Sequence, residues 1–340
     1  MQENRILIDW LTFTTRKENL LSVFNIIGIP FDNFIDLHKG FNGYKSALYF
    51  EGISICYDGS SWIDNNGVIH DMGIMINMSG KGCRAFEDNS DKSFNDLFMY
   101  IFERLDDFNI TRLDVAFDDF EGVLDINKIA DDVRSKNYVS RFKNVGINWT
   151  RKNDIEGNTI YFGSEKSDLM YRLYDKKVEQ NIIDDNMHWI RFEAQCRNGH
   201  AQTFVELICQ GIDISEVFFN TLNNQLRFVI PDENDSNRRR WATASYWEKF
   251  LQYKGVMSLY KESGSDFNDD NLVSYLRTYS GALYTLCSMY GIEFLLRSLK
   301  ERSFGKFNSK YTSFLKSKGV DIHSLPHEIN YILESLGVAL

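Results

Sequence analysis

Charged side chains interrupt three apolar segments in the first two thirds of the chain. In the first, Ile110–Asp119, alternation with a period of two places Arg112, Asp114 and Asp118 on one face and apolar residues on the other. Burying such charges is costly unless they are paired or bound to a metal. Two carboxylates on one strand face therefore predict either a metal site or an Arg–Asp ion pair on a solvated face.

A tyrosine flanked by cations marks the second segment, Asp168–Lys177. In the strand that this segment predicts, Arg172, Tyr174 and Lys176 point the same way. Nearby positive charge favours the phenolate and also binds phosphate, so this arrangement suits nucleophilic attack on a phosphate ester. A structural role is the commoner one for any single tyrosine among seventeen, and that alternative stays open.

The third segment, His188–Arg197, has Arg191, Glu193 and Gln195 on one face and apolar residues opposite. If the three segments are neighbouring strands, their polar faces meet in one cluster around Tyr174. Carboxylate oxygens suit Mg²⁺ or Mn²⁺ rather than zinc. The candidate acids of this cluster are Asp114, Asp118 and Glu193.

The pattern of apolar residues changes along the chain and predicts two regions. From Ile6 to about Glu206, short apolar runs bounded by Gly, Asn or Asp predict strands with interposed helices. After Pro231, apolar residues recur at spacings of three and four, which predicts helices. We therefore expect an α+β fold in which an antiparallel-sheet domain, residues 1–228, precedes a mostly helical region, residues 229–340.

Composition is that of an ordinary globular protein. With 340 residues, 43% of them hydrophobic, the chain can bury a large core. No stretch approaches the roughly 18 apolar residues of a membrane span, and Met1–Arg5 lack the apolar segment of a signal peptide. The five cysteines are scattered without a CxxC pair, so we expect reduced thiols. These features predict a cytoplasmic protein without a membrane partner.

The charge distribution is ambiguous about nucleic acid. A net charge of -10 argues against it, because affinity for duplex DNA comes largely from Lys and Arg contacts with phosphates. Local patches differ: seven basic residues and one acid lie between Arg297 and Lys318. In Asn237–Trp241, basic residues precede aromatic ones, as in proteins that grip a backbone and stack on bases. The nearby Trp247 and Phe250 fit either DNA contact or a helix core.

The order of these motifs resembles that of the Rep_trans family, which includes rolling-circle plasmid replication initiators and the MobT-type relaxases of integrative conjugative elements. The resemblance extends to two N-terminal motifs, the second closer to the relaxase branch, and covers the chain to about Phe250. The motifs that carry it are Asp9–Thr14, Met78–Arg84, Thr111–Asp118, Tyr161–Gly163, Arg172–Lys177 and Trp189–Glu193.

This resemblance implies an enzyme that nicks one DNA strand through a tyrosine, which becomes attached to the 5′ phosphate with the help of a divalent metal. By motif position that tyrosine is Tyr174, with Tyr171 as the nearby competitor. The metal, Mg²⁺ or Mn²⁺, would be held by Asp114 and Glu193, with Asp118 as a weaker third ligand. Metal and cations would stabilise the charge that builds on the phosphate during transfer.

Arg172, Lys176 and Arg191 are the candidate phosphate clamps, with structural ion pairs as the alternative for each. Residues 1–228 would then form the nicking domain and residues 229–340 a DNA-binding or accessory region. The implied partners are DNA at an origin of replication or transfer, single-stranded or cruciform at the nick, and a host helicase. Plasmid initiators of the family are dimers, so a homodimer is a further expectation.

The chain departs from plasmid initiators at one position, where Asn77 replaces an acid in the strand before the Ser-Gly motif. This departure leaves room for a second function, a DNA-binding regulatory relative that no longer nicks. A polymerase or primase would also use paired carboxylates, but Gly80–Cys83 is not a phosphate-binding loop of the Gly-Lys-Ser/Thr kind. Histidine-metal nickases are disfavoured because no two of the six histidines are separated by one apolar residue. His323 and His327 have Pro326 between them, which would disturb a helix that aligned both.

Overall fold

The structure, a computed structural model, describes residues 3–63, 69–152, 155–182, 187–251, 283–292 and 294. The chain divides into two compact units, one of Met1–Phe86 with Ser90–Tyr260 and one of Glu87–Asn89 with Lys261–Leu340. Residues 283–290 are helical, and most of the chain after Leu251 lies outside the described residues. The division at residues 228 and 229 therefore stays a prediction.

A ten-stranded antiparallel sheet organises the first unit, in the order β10-β11-β12-β13-β8-β1-β7-β4-β3-β2. Two further two-stranded sheets pair β14 with β9 and β5 with β6. The predicted α+β class is confirmed. In chain order the strands are β1 Arg5–Thr15, β2 Ile35–Asp36, β3 Tyr44–Phe50, β4 Ile53–Gly59, β5 Ser61–Ile63, β6 Ile69–Asp71, β7 Ile74–Met78, β8 Phe108–Asp119, β9 Tyr138–Ser140, β10 Val145–Lys152, β11 Ile155–Phe162, β12 Leu169–Asp175, β13 Ile190–Arg197 and β14 Leu226–Phe228.

The helices up to Leu251 are short, and side-chain caps begin most of them. In α3, for example, Ser93 and Asp96 form a reciprocal capping box that satisfies two backbone N–H groups. None of the described helices has the length and apolar composition needed to cross a membrane. The helices are α1 Leu20–Ile27, α2 Gly80–Asn89, α3 Phe94–Phe102, α4 Ile126–Arg134, α5 Lys176–Glu179, α6 Asn198–Cys209, α7 Ile214–Gln225 and α8 Ser245–Leu251, with 3₁₀ turns at Phe31–Asn33 and Arg238–Arg240.

The core lies between these helices and the apolar face of the sheet. Alternation in β8 sends Phe117 into this core, where its ring lies 5.7 Å from Phe219 and 5.3 Å from Phe250. Trp247 of α8 is fully buried, 6.1 Å from the ring of Phe192 on β13. Trp247 and Phe250 therefore serve the core, and the alternative of DNA stacking by these two rings is not realised. The opposite face of the central strands carries the polar residues.

Candidate active site

Antiparallel pairing makes the three charged segments neighbouring strands, which is the condition under which their polar faces were expected to meet. On the polar face, Arg172 of β12 lies opposite Glu193 of β13. Next along the same strands, Tyr174 is paired with Arg191, and Arg191 is paired with Asp118 of β8. One polar cluster thus spans three adjacent strands.

Tyr174 is held inside this cluster. Its side chain is buried, with 7% of the residue's surface exposed, and its hydroxyl donates a hydrogen bond to Glu193 Oε2 at 3.1 Å. The charges of Arg172 and Lys176 lie 5.5 Å and 5.6 Å from the centre of its ring. Burial, reinforced by the charge of Glu193, raises the pKa of Tyr174. Burial and Glu193 therefore act against the phenolate that the flanking cations were expected to favour, and the protonated phenol donates its hydrogen bond to Glu193.

Tyr171 lies on the opposite face of β12, in the core. It is fully buried and stacks with Phe192 at 5.7 Å between ring centroids. Its hydroxyl has no hydrogen-bond partner among the described residues. Tyr171 thus has no contact with the acids around Tyr174, and the structure favours Tyr174 of the two competing tyrosines.

The two acids predicted as principal metal ligands are each paired with an arginine. Glu193 Oε1 accepts from Arg172 Nη2 at 2.5 Å, and Asp114 accepts from Arg112 Nε and Nη2 at 3.0 and 2.6 Å. Burial and the negative charge of Glu193 raise the pKa of Asp114 to about 7, although Arg112 acts in the other direction. The two buried carboxylates are therefore close enough to repel each other.

Asp118 and Arg191 form a buried ion pair instead of facing an open site. Arg191 donates to both oxygens of Asp118, at 2.6 and 2.8 Å, and Arg5 Nε adds a contact of 3.0 Å. Although burial opposes ionisation, the charges of Arg191 and Arg5 lower the pKa of Asp118 to about 2. This geometry favours the ion-pair alternative over metal ligation by Asp118 and over phosphate binding by Arg191.

Asp9 belongs to this network, although the sequence reasoning did not single it out as a site residue. It lies at a bulge in β1, and its Oδ1 accepts from Arg191 Nη1 at 2.6 Å. Gly80, at the start of α2, packs closely against Asp9. A Cβ atom at position 80 would lie only 3.1 Å from Asp9 Oδ1. Burial opposes ionisation, but the charges of Arg191, Lys176 and Arg84 lower the pKa of Asp9. The sequence feature that could have identified Asp9 is its position as a lone acid within the apolar run Ile6–Phe13.

A cavity of about 230 Å³ opens beside the tyrosine, between β11, β12 and α5. Thr159 and Tyr161 form its β11 side, and Arg172 and Tyr174 its β12 side. Lys176, the third predicted clamp, is paired with Glu179 on the first turn of α5. The cavity gives a substrate access to the edge of the cluster from the side where Arg172 lies.

The donor set fits a divalent metal held by two protein carboxylates. Within the described part of the chain, no group of three His, Cys, Asp or Glu side chains is arranged to bind a metal. Mg²⁺, however, is commonly bound through one or two carboxylates, with water and substrate phosphates completing its shell. Asp114 and Glu193 are two such carboxylates on neighbouring strands of one face, and a shared cation would relieve the repulsion by which Glu193 raises the pKa of Asp114.

Of the two basic motifs after β14, the structure describes Asn237–Trp241 but not residues 297–318. Within Asn237–Trp241, Arg240 pairs with Asp235 at 2.6 Å, and Arg238 Nη1 donates to the backbone carbonyl of Lys136 at 2.8 Å. These contacts give two of the three arginines a structural role. Residues 297–318, like His323 and His327, lie outside the described residues.

Comparisons with known proteins agree with this architecture. Residues 108–296 match the family described as "Replication initiation factor", and residues 5–103 match the "Rolling Circle replication initiation protein N-terminal domain". The curated "Putative DNA relaxase NicK" of Bacillus subtilis (strain 168) is 30% identical over 253 residues, which cover 71% of this chain and 69% of the relative. The solved rolling circle replication initiator protein from Geobacillus stearothermophilus aligns with a TM-score of 0.67 at 31% identity, over 73% of this chain and 95% of that one.

Proposed function

This chain belongs to the replication initiation factor family of rolling-circle initiators and DNA relaxases, and we propose that it nicks origin DNA by forming a 5′-phosphotyrosine link through Tyr174. The observation that carries the proposal is the Tyr174–Glu193 hydrogen bond of 3.1 Å at the centre of the cluster. It joins the candidate nucleophile to a proton acceptor, the arrangement that activates a hydroxyl.

In the proposed step, the Tyr174 oxygen attacks the scissile phosphorus as its proton passes to Glu193 Oε2. The tyrosyl O–P bond forms, the bond from phosphorus to the 3′ oxygen breaks, and the departing 3′ oxygen takes up a proton from water, while the proton of Tyr174 stays on Glu193. Arg172 and Lys176, beside the phenol ring, face the phosphate as negative charge builds on it. Reversal of the same step rejoins the strand without ATP, because the phosphotyrosine conserves the bond energy.

Asp114 and Glu193 would hold the Mg²⁺ or Mn²⁺ ion, which when bound supplies positive charge against the transferring phosphate. Asp118 and Arg191 are left out of this assignment, since they neutralise each other inside the sheet. Their part in the proposal is to fix the end of β13 that carries Glu193. Asp9 supports the same end through its bond to Arg191.

The proposal extends to the setting in which such an enzyme works. Origin recognition by residues 229–340, unwinding by a host helicase and homodimer formation accompany it as hypotheses. The site of action would be the cytoplasm, on a plasmid, phage or conjugative element. Size-exclusion chromatography with light scattering tests the dimer, and the neighbouring genes of the element separate a replication initiator from a conjugative relaxase.

The decisive experiment incubates the protein with Mg²⁺ or Mn²⁺ and supercoiled DNA of its own genetic element. A protein–DNA adduct that survives denaturant, with Tyr174 as the modified residue by mass spectrometry, is the expected result. An adduct on any other residue overturns the assignment of the nucleophile.

A second function, a regulatory DNA-binding protein without nicking activity, is favoured by one observation. The Tyr174 hydroxyl is buried and its pKa is raised, which is the state of a structural tyrosine. Measurable binding to the same DNA without any adduct, at saturating metal, would support that function over the first.

A further inference from the structure

The polar face continues beyond the polar cluster around Tyr174 onto β1 and β7, where three side chains are joined by hydrogen bonds. Trp10 Nε1 donates to Thr12 Oγ1 at 2.9 Å and to Asn77 Oδ1 at 3.0 Å. Thr12 Oγ1 in turn donates to Asn77 Oδ1 at 2.8 Å. Asn77 thus has a fixed amide orientation, with its oxygen directed at β1.

This orientation determines what Asn77 can offer to a ligand. A carbonyl oxygen has two lone pairs, and both are used by Trp10 and Thr12. The amide nitrogen, by contrast, has no acceptor among the described residues and is not sealed from solvent. Asn77 therefore presents hydrogen-bond donors to the polar face and has no oxygen left for a metal.

A cation lies against the same indole ring that binds this amide. The Arg112 guanidinium stacks over the Trp10 ring, 4.1 Å from its centroid, and the Arg112 side chain is 22% exposed. Its Nε and Nη2 bind Asp114, whereas Nη1 has no partner within the described part of the chain. Donors from two different strands, Arg112 Nη1 and Asn77 Nδ2, therefore flank one indole ring.

We propose that Trp10, Asn77 and Arg112 form a subsite for one nucleotide of the single strand that Tyr174 nicks, and that Asn77 selects the base there. The inference rests on the proposed function, because the strand reaches this subsite by crossing the same sheet face. Arg112 Nη1 binds a phosphate oxygen, and Asn77 Nδ2 donates to the base edge. A donor without a neighbouring acceptor fits the carbonyl of guanine or thymine and rejects the exocyclic amine of adenine or cytosine.

The sheet register sets the distance between this subsite and the nick. Four strand-to-strand steps separate β12 from β7, which at about 4.8 Å each gives about 19 Å across the sheet. On β8, Asp118 is level with Tyr174, whereas Arg112 is level with Thr12 and Asn77. These two positions of β8 are six residues apart, which is about 20 Å along the strand. The diagonal of about 28 Å places the selected base several nucleotides from the nick.

The test first maps the nick on supercoiled DNA of the protein's own element. Single-stranded oligonucleotides spanning that site are then changed one base at a time, and the initial rate of adduct formation is measured. Wild type should lose about fivefold to tenfold when a guanine or thymine at one position, several nucleotides from the nick, becomes adenine or cytosine. In Asn77→Asp, which keeps the oxygen that Trp10 and Thr12 need but loses the donor, this preference should vanish.

Asn223→Asp is the matched control, because Asn223 is an exposed residue of α7 and the substitution adds the same charge. It should keep the wild-type base preference. A preference that survives in Asn77→Asp overturns the proposal. So does tighter Mn²⁺ binding by that variant in calorimetry, since it would make position 77 a metal-ligand position.

Failure of the proposed function gives a different pattern. If no DNA yields an adduct, the oligonucleotides bound from a randomised single-stranded pool are sequenced for wild type and Asn77→Asp. Enrichment of guanine or thymine at one position by wild type alone would still support the subsite. Equal enrichment by both proteins would overturn it.

Discussion

The Tyr174 hydroxyl and the Glu193 carboxylate meet across two adjacent strands, at 3.1 Å, on the polar face of the sheet. Glu193 binds Arg172 through its second oxygen, at 2.5 Å. One carboxylate therefore connects the candidate nucleophile, a candidate phosphate-binding cation and a candidate metal site. Substitutions around this carboxylate separate the three roles.

Replacing Tyr174 by phenylalanine removes the attacking oxygen and little else. We expect adduct formation to fall by more than about 10³-fold, with DNA affinity within a few fold of wild type. Denaturing gels with labelled DNA measure adduct formation, and fluorescence anisotropy measures DNA affinity. Wild-type nicking by this variant would exclude Tyr174 as the nucleophile.

Tyr171→Phe is the matched variant on the opposite face of β12. Its hydroxyl is buried without a partner among the described residues, so its removal should leave the free energy of unfolding unchanged or raise it by about 1 kcal/mol. Nicking should be unaffected. Urea denaturation and the adduct assay check the two expectations, and loss of nicking in a folded Tyr171→Phe protein would reopen the choice of nucleophile.

Neutralising either carboxylate of the candidate metal site should impair chemistry without unfolding the protein. For Asp114→Asn and Glu193→Gln we expect nicking to fall on the order of 10²-fold or more, with partial recovery at high Mn²⁺ if metal affinity is the defect. Calorimetric titration with Mn²⁺ measures that affinity directly. Unchanged Mn²⁺ affinity in both variants would return these acids to the ion-pair interpretation.

Asp118 should behave as a structural residue. Asp118→Ala leaves Arg191 buried without its principal partner, which should lower the free energy of unfolding by about 3–5 kcal/mol. Asp235→Ala, which breaks an exposed pair with Arg240, is the control and should have no measurable effect. Chemical denaturation compares them. A stable Asp118→Ala protein with weakened Mn²⁺ binding would instead assign Asp118 to the metal.

His188 should make stability depend on pH. Its hydrogen bond with Asp119, at 3.1 Å, raises the pKa of His188 above the ordinary value of about 6.5. The protonated form of His188 is thus favoured in the folded state. The contribution of the His188–Asp119 pair to the free energy of unfolding is therefore complete below about pH 6.5 and is lost as the pH rises through the folded-state pKa of His188. Thermal melts from pH 5 to 9 should show this decline in wild type. A His188→Gln protein with the same decline would contradict the assignment.

Much of the sheet could be predicted because its signal is local. Alternation in Ile110–Asp119 and in Asp168–Lys177 assigns each side chain to a face, whatever strand lies alongside. The same alternation already separates Tyr171 from Tyr174. Strand order carries no comparable local signal, since β8 pairs with β1 and β13, which lie far from it in the chain.

The sequence by itself determined the α+β class, the polar faces of three strands and the family to which the ordered motifs belong. Only the tertiary structure decided which partner each charge takes. Arg191 binds Asp118 and Asp9, residues 73 and 182 positions away, and Asn77 is locked by Trp10 from 67 positions away. Such pairings depend on strand register and on the bulge at Asp9, which the packing of the whole sheet fixes and no local pattern encodes.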